Sequence, residues 1–247
     1  MKREKTENLR RQSARPLFRL PQWERGNKAF TLAEVLITLV IIGVIGALTV
    51  PALIQNTQKQ EYVSALKKAY STLSNAAQQI IAEEGTPKCN DGGWACSNPD
   101  VYNEFKKRLN IVKDCAGSGQ CFGSKYYNFD KTYYINDDIT WRASYGDYRS
   151  FVLADGISVS FGGLDKSCSA DNNFYNSYSY GVCAFIAVDV NGAKAPNIKG
   201  RDAFAFVLKE NGLFPAGCDS SGTSPSRCPG NDHTCACKVL TEGAMNY

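Results

Sequence analysis

Histidine is almost absent from this chain of 247 residues, which holds one, His233. It stands in a cysteine-rich tail, so acid–base chemistry built on an imidazole has no second histidine to work with. Cysteine is missing from the first 88 residues and then occurs ten times. No glycine-rich phosphate loop, nucleophile–base pairing or paired-carboxylate arrangement is recognisable. Together these absences lead us to expect a protein that is not an enzyme. Acidic residues are also scarce at the start. Residues 1–29 carry nine Lys and Arg against three Glu, a net of +6 in a chain whose total is +4, which leaves −2 for the rest. The basic balance therefore belongs to this leader and says little about the remainder of the chain.

After the leader come Lys28-Ala-Phe-Thr-Leu-Ala-Glu34 and an apolar run of 20 residues, Val35 to Ile54. Such a run is long enough to cross a bilayer as a helix. An excess of Lys and Arg on one flank keeps that flank cytoplasmic, which puts the N-terminus inside and the rest outside. An ordinary secretory signal has a shorter apolar stretch, removed at a small-residue site beyond it. Here the small-residue site lies before the run, and cutting between Ala29 and Phe30 leaves the run on the mature chain. Glu34 sits at the head of the hydrocarbon segment, where a charge is costly and is by default a functional hypothesis. Snorkelling of Glu34 to the interface is the simpler alternative.

The stretch from Phe30 through Glu34, Gly43, Gly46 and Pro51 resembles the N-terminus of type IV prepilins and type II secretion pseudopilins. The resemblance implies a cut between Ala29 and Phe30 by prepilin peptidase and N-methylation of Phe30. It makes Glu34, fifth from the cut, the assembly glutamate, and it places Gly43 and Pro51 where such helices commonly loosen. In that family Gly usually precedes the cut, and here Ala29 does; a cut after Gly26 would make Glu34 eighth. The implied partners are prepilin peptidase, inner-membrane lipid, an assembly platform and other pilin-like subunits, including copies of this chain. In a filament the Glu34 carboxylate would neutralise the terminal amine of a neighbour, since buried charges are tolerable only as a well-placed pair.

Helical spacing continues beyond the run. Tyr62, Leu66, Ala69, Leu73, Ala76 and Ile80 recur every three or four residues, with Glu61, Lys67, Lys68, Ser71 and Gln78 opposite, and Gly85-Thr86-Pro87 ends the pattern. One helix from near Phe30 to Glu84 is expected, apolar all round over 30–54, amphipathic over 55–87, and loosened at Gly43, Gly46 and Pro51.

Residues 88–247 hold every cysteine, which in an exported region reads as a disulfide framework. Short loops favour Cys89–Cys96 and Cys115–Cys121, and a longer one Cys168–Cys183. Cys218, Cys228, Cys235 and Cys237 remain to staple the tail, and Cys235 and Cys237 share too tight a loop to bond each other. Zinc held by His233, Cys235, Cys237 and Cys228 is the competing reading, with spacing unlike the usual paired ligands. Asn98-Pro99-Asp100 marks a helix start, running through Leu109. Strands are expected at Thr132–Ile135, Ile139–Ala143, Ser150–Ala154, Ile157–Phe161, Val182–Val190 and Ala203–Leu208, with Asx-Gly turns at Asp155-Gly156, Asn191-Gly192 and Asn211-Gly212. The expected class is α+β: a long N-terminal helix packed on an antiparallel sheet, disulfide-rich, as the pilin resemblance also implies.

The stretch Val188 to Asp202 resembles a loop of pilin-like proteins, some of which bind calcium there. Asp189, Asn191 and Asp202 offer hard oxygens that suit calcium. Lys194 and Arg201 intrude, however, and a hairpin whose Asx side chains cap their own turns is the simpler account. Tyrosine clusters at 126–127, 133–134 and 174–180 could stack on bases or sugars, but nucleic-acid binding has no further support. Two readings thus stand: a filament subunit, or a signal-anchored binding protein for DNA, glycan or surfaces that never polymerises.

Overall fold

The computed structural model describes residues 30–85, 100–116, 121–130, 132–134, 149–162, 168, 181–218, 228 and 233–247. The chain divides into two compact units, residues 1–49 and 50–247.

Helix α1 spans Leu32–Glu84 and contains Pro51. The ring of Pro51 cannot donate to the carbonyl of Ala47, yet the helix continues. In the first unit its side chains are exposed, including Val35, Leu36, Ile37, Leu39, Val40, Ile41, Ile42, Val44 and Ile45. A window of α1 reaches a mean hydropathy of 2.6 with none of its residues buried. By length and composition this is a membrane-crossing segment. Its hydroxyls turn inward on the helix: Thr38 Oγ1 donates to Val35 O and Thr49 Oγ1 to Ile45 O, both at 2.9 Å. Thr57, just beyond the run, does the same to Leu53 O at 3.0 Å. A threonine that bonds its own preceding turn leaves no donor stranded in an apolar setting.

In the second unit the same helix becomes one-sided. Tyr62, Val63, Leu66, Ala69, Leu73, Ala76, Ala77 and Ile80 are buried, and they include all six of the residues whose spacing announces the face. They pack on an antiparallel sheet. The strands in chain order are β1 (Ile111–Ala116), β2 (Tyr126–Tyr127), β3 (Tyr133–Tyr134), β4 (Arg149–Leu153), β5 (Ser158–Gly162), β6 (Val182–Asp189), β7 (Ala203–Lys209) and β8 (Gly212–Pro215). Six of them form the sheet in the order β1-β4-β5-β6-β7-β8, while β2 and β3 form a separate ladder. From β4 onward each strand pairs with the next in the chain, and β1 lies outside β4. Tyr70 stacks on Phe206 with ring centroids 5.5 Å apart, fixing α1 against β7. Gln78 of α1 donates to Asn211 O at the β7–β8 turn.

Period-two alternation sorts the strands onto two faces. Ile186, Val188, Phe204, Phe206 and Leu208 join the α1 core. Val182, Phe185, Ala205 and Val207 cluster on the far face with Ala216, and Ala187 and Ala203 with Cys115, Cys121, Phe122 and Tyr126. Covering on both faces buries all eight residues of β6, which is why Val182–Asp189 reads as a continuous apolar run. Helix α2 (Asp100–Arg108) seats Val101, Tyr102 and Phe105 beside Phe151 and Phe161. Arg108 ties it to α1 through Glu83 and to its own Glu104. A 3₁₀ turn (His233–Cys235) leads into α3 (Ala236–Glu242).

The sheet and the long helix match the expected α+β, pilin-like class. Helix α1 begins at Leu32, near Phe30, and ends at Glu84, as expected. Strands β1 and β8 and helix α3 carry no clear mark in the sequence. The expected Ile139–Ala143 strand, the Asn98-Pro99 cap and the 174–180 aromatic cluster lie outside the described residues.

Candidate functional site

The head of α1 is a reciprocal capping arrangement. Thr31 precedes the helix, and its backbone N–H and its hydroxyl both donate to Glu34 Oε2, at 2.8 and 2.9 Å. Glu34 N–H returns a bond to Thr31 Oγ1 at 3.2 Å, and Val35 N–H donates to Thr31 O. This is a Thr-x-x-Glu capping box, which satisfies amide groups that the first turn of any helix leaves without partners. Its signal lies plainly in Thr31-Leu-Ala-Glu34, although the cost of the Glu34 charge is the more conspicuous feature of those residues. Among the described residues none donates to Glu34 Oε1. Phe30, one residue outside the box, is 84% exposed; Ala29 lies outside the described residues.

Gly43 and Gly46 face open space, with nothing within 4 Å of where a Cβ would stand. Close approach of another helix is therefore sterically open at both.

Four disulfides are described: Cys115–Cys121, Cys168–Cys183, Cys218–Cys237 and Cys228–Cys235. The first two are the bridges that loop length favours, and the tail pairs are nested one inside the other. Cys228, Cys235 and Cys237 are thus disulfide sulfurs rather than thiolates, which removes the ligands of the zinc reading. The expected Cys89–Cys96 bridge lies outside the described residues. The nested pair anchors α3, which buries Ala236, Cys237 and Val239.

The three candidate calcium ligands do come together between β6 and β7. Asp189 and Asp202 are fully buried. Tyr126 donates its hydroxyl to Asp189 Oδ2 at 2.5 Å, and Asn191 N–H donates to Asp189 Oδ1 at 3.2 Å. Asp202 accepts Asn197 N–H on Oδ2 at 2.7 Å and Ile198 N–H on Oδ1. Asn191 Nδ2 reaches Asp202 Oδ2, Ala195 O and the Tyr62 hydroxyl at 3.3–3.4 Å. Burial, reinforced by the neighbouring Asp202 charge, holds the Asp189 carboxyl well above the usual carboxylate range. Burial likewise pushes Asp202 up to about 6, opposed by its backbone N–H donors and by Arg201. The sequence does not point to Tyr126 for this role, since nothing local links it to a carboxylate 63 residues away.

With this geometry in view, the comparison that bears on it is with the prokaryotic N-terminal methylation motif, whose family model matches residues 25–50. The chain carries a type IV pilin-like prepilin leader. Residues 25–50 take in Ala29, Phe30, Thr31, Glu34, Gly43 and Gly46, so the motif and the capping box coincide. The prepilin-type segment and the exposed apolar half of α1 fit a single-pass inner-membrane precursor of the pilin and pseudopilin kind. Neither a curated protein nor a solved structure matches the chain.

Proposed function

We propose that this chain is a non-enzymatic structural subunit, cut between Ala29 and Phe30 by prepilin peptidase, N-methylated at Phe30 and assembled into a type IV pilus or a type II secretion pseudopilus. The observation that carries the reading is the Glu34 carboxylate, held by Thr31 through one oxygen at the head of an exposed apolar helix. Cleavage turns the Phe30 nitrogen into a cation four positions from this acid. Oε2 is committed to the local cap; Oε1 is left for the terminal amine of the next subunit. An amine or carboxylate that entered the filament without its partner would be a buried lone charge, which is strongly destabilising. The pairing thus sets the register. While the subunit waits, lipid covers the apolar half of α1; in the filament, neighbouring helices cover it, with partners that are copies of this chain or other pilin-like subunits. The N-terminus faces the cytoplasm and the disulfide-bonded unit lies outside, where an oxidising compartment maintains its bridges.

The test has two parts. Intact mass from native membranes should show loss of residues 1–29, one added methyl and ten missing hydrogens for the ten cysteines. Glu34→Ala should abolish incorporation into filaments while membrane insertion and the oxidised fold persist. An uncut, unmethylated chain would instead describe a permanently anchored binding protein, and assembly unaffected by Glu34→Ala would overturn the register role.

A further inference from the structure

Loops rich in Asp and Asn invite a cation, and two buried carboxyl groups must be paired, hydrogen-bonded or protonated. Calcium takes six to eight oxygen ligands. In the 189–202 loop every carboxylate oxygen is already engaged by an N–H or O–H donor. The third candidate ligand is turned the wrong way. Asn191 presents its amide nitrogen to Asp202, Ala195 O and Tyr62, and its Oδ1 accepts nothing. Serving a cation beside Asp202 would require that amide to turn over. It would lose three donated bonds and face its oxygen toward a carbonyl and a carboxylate.

Arg201, next in the chain to Asp202, only partly opposes the burial that raises the Asp202 carboxyl. Its Nη2 reaches Gln58 Oε1 at 3.4 Å. The other buried amide oxygen, Asn197 Oδ1, also accepts nothing, but its side chain is wedged over Gly123, where an added Cβ would meet Asn197 Nδ2 at 2.4 Å. Asn197 itself takes a left-handed backbone, φ 52°, which Asn tolerates better than most residues. Around this core the chain crosses back on itself. Tyr127 N–H donates to Asn197 O at 2.9 Å and Lys199 N–H to Tyr127 O at 3.0 Å.

We propose that residues 189–202 form a metal-free clasp: Tyr126 and the loop's own N–H groups hold Asp189 and Asp202, and calcium neither binds here nor supports the fold. The clasp fastens the 121–128 segment across the far face of the sheet, a task that a cation would otherwise perform from outside the chain.

The experiment is thermal unfolding of the full-length oxidised protein in detergent, followed by near-ultraviolet circular dichroism, in excess EDTA and then in millimolar calcium chloride. Coincident midpoints support the clasp, as does a lower midpoint for Tyr126→Phe that is the same in both solutions. A wild-type midpoint that calcium raises by several degrees overturns it. So does a Tyr126→Phe midpoint that calcium restores, or one no lower than wild type. Isothermal titration of wild-type protein with calcium gives an arm that does not depend on the variant folding: absence of saturable heat is the expected result, and a saturable isotherm would refute the proposal.

Discussion

On the proposed reading, Glu34 has two tasks that a single carboxylate can perform only because its oxygens are divided between them. Oε2 closes the first turn of α1 with Thr31, and Oε1 remains for a partner. The division makes Thr31 a positioning residue. Replacing it with Ala removes a cap worth about 1 kcal/mol and frees the Glu34 side chain to rotate. We expect Thr31→Ala to be inserted and to fold normally but to enter filaments less efficiently, and Thr31→Ser to recover. Filament yield at matched membrane levels reads this out, and a Ser variant as impaired as Ala would count against the cap. At the opposite end of the residue scale, Asp202 is pushed up to about 6 from an ordinary 3.8 by burial. The folded chain therefore holds this proton more tightly than the unfolded chain does. Its contribution to stability is complete below the unfolded value and is lost as pH rises through about 6; Asp189 acts in the same direction. The unfolding midpoint should fall between about pH 4 and pH 7, and Asp202→Asn should flatten that fall. Melts across the window, wild type against variant, decide it.

Among the elements, α1 is the most legible because two signals agree in it: an unbroken apolar run, then a three-four periodicity with a glycine stop. Leu66 and Leu73 sit at the centre of that second half and are fully buried. Leu66→Ala should cost about 2–5 kcal/mol of the folded unit's stability, visible as a lower denaturation midpoint, whereas Ser71→Ala on the exposed face should leave it unchanged. Strands β4 to β7 are legible through their Asx-Gly turns and apolar content, to within a residue or two at the ends. Strand β1 is not. It is an edge strand, its Val112 is 66% exposed, and its pairing with β4 slips register twice, so neither burial nor alternation marks it. Helix α3 escapes for a different reason: Cys235 stands at its start without a side-chain cap, and seven residues show little periodicity. Only Gly243, left-handed with its N–H on Val239 O, leaves a trace of where α3 ends. The clasp is half legible. Asp189, Asn191 and Asp202 can be grouped through the resemblance of their loop and their hard oxygens, but Tyr126 and the direction of the Asn191 amide depend on tertiary packing that no local pattern encodes.

For the molecule as a whole, the nested Cys218–Cys237 and Cys228–Cys235 bridges matter more than their place near the chain's end implies. Cys235, Ala236, Val239 and Met245 belong to the same core as α1 and the sheet, so the tail is part of the packed body rather than an appendage. Opening the outer bridge with Cys218→Ser and Cys237→Ser together should lower stability by about 2–4 kcal/mol. It should also expose the tail to limited proteolysis, with the membrane segment still inserted. Protease mapping of the double variant against wild type tests this; an equally protected tail would show that packing alone retains it. The same division of labour explains why the function class can be read before the fold: the N-terminal chemistry is local in sequence, while the outer unit is assembled from distant segments by bridges and burial.

The threonines of the apolar stretch carry one further implication. Thr38 and Thr49 spend their hydroxyls on their own helix, so these two side chains ask nothing polar of their surroundings. Moving them from one apolar environment to another therefore breaks none of their hydrogen bonds, and for the stretch beyond Glu34 shape and dispersion weigh most. On the proposed reading, its two threonines are the same whether their neighbours are acyl chains or other helices.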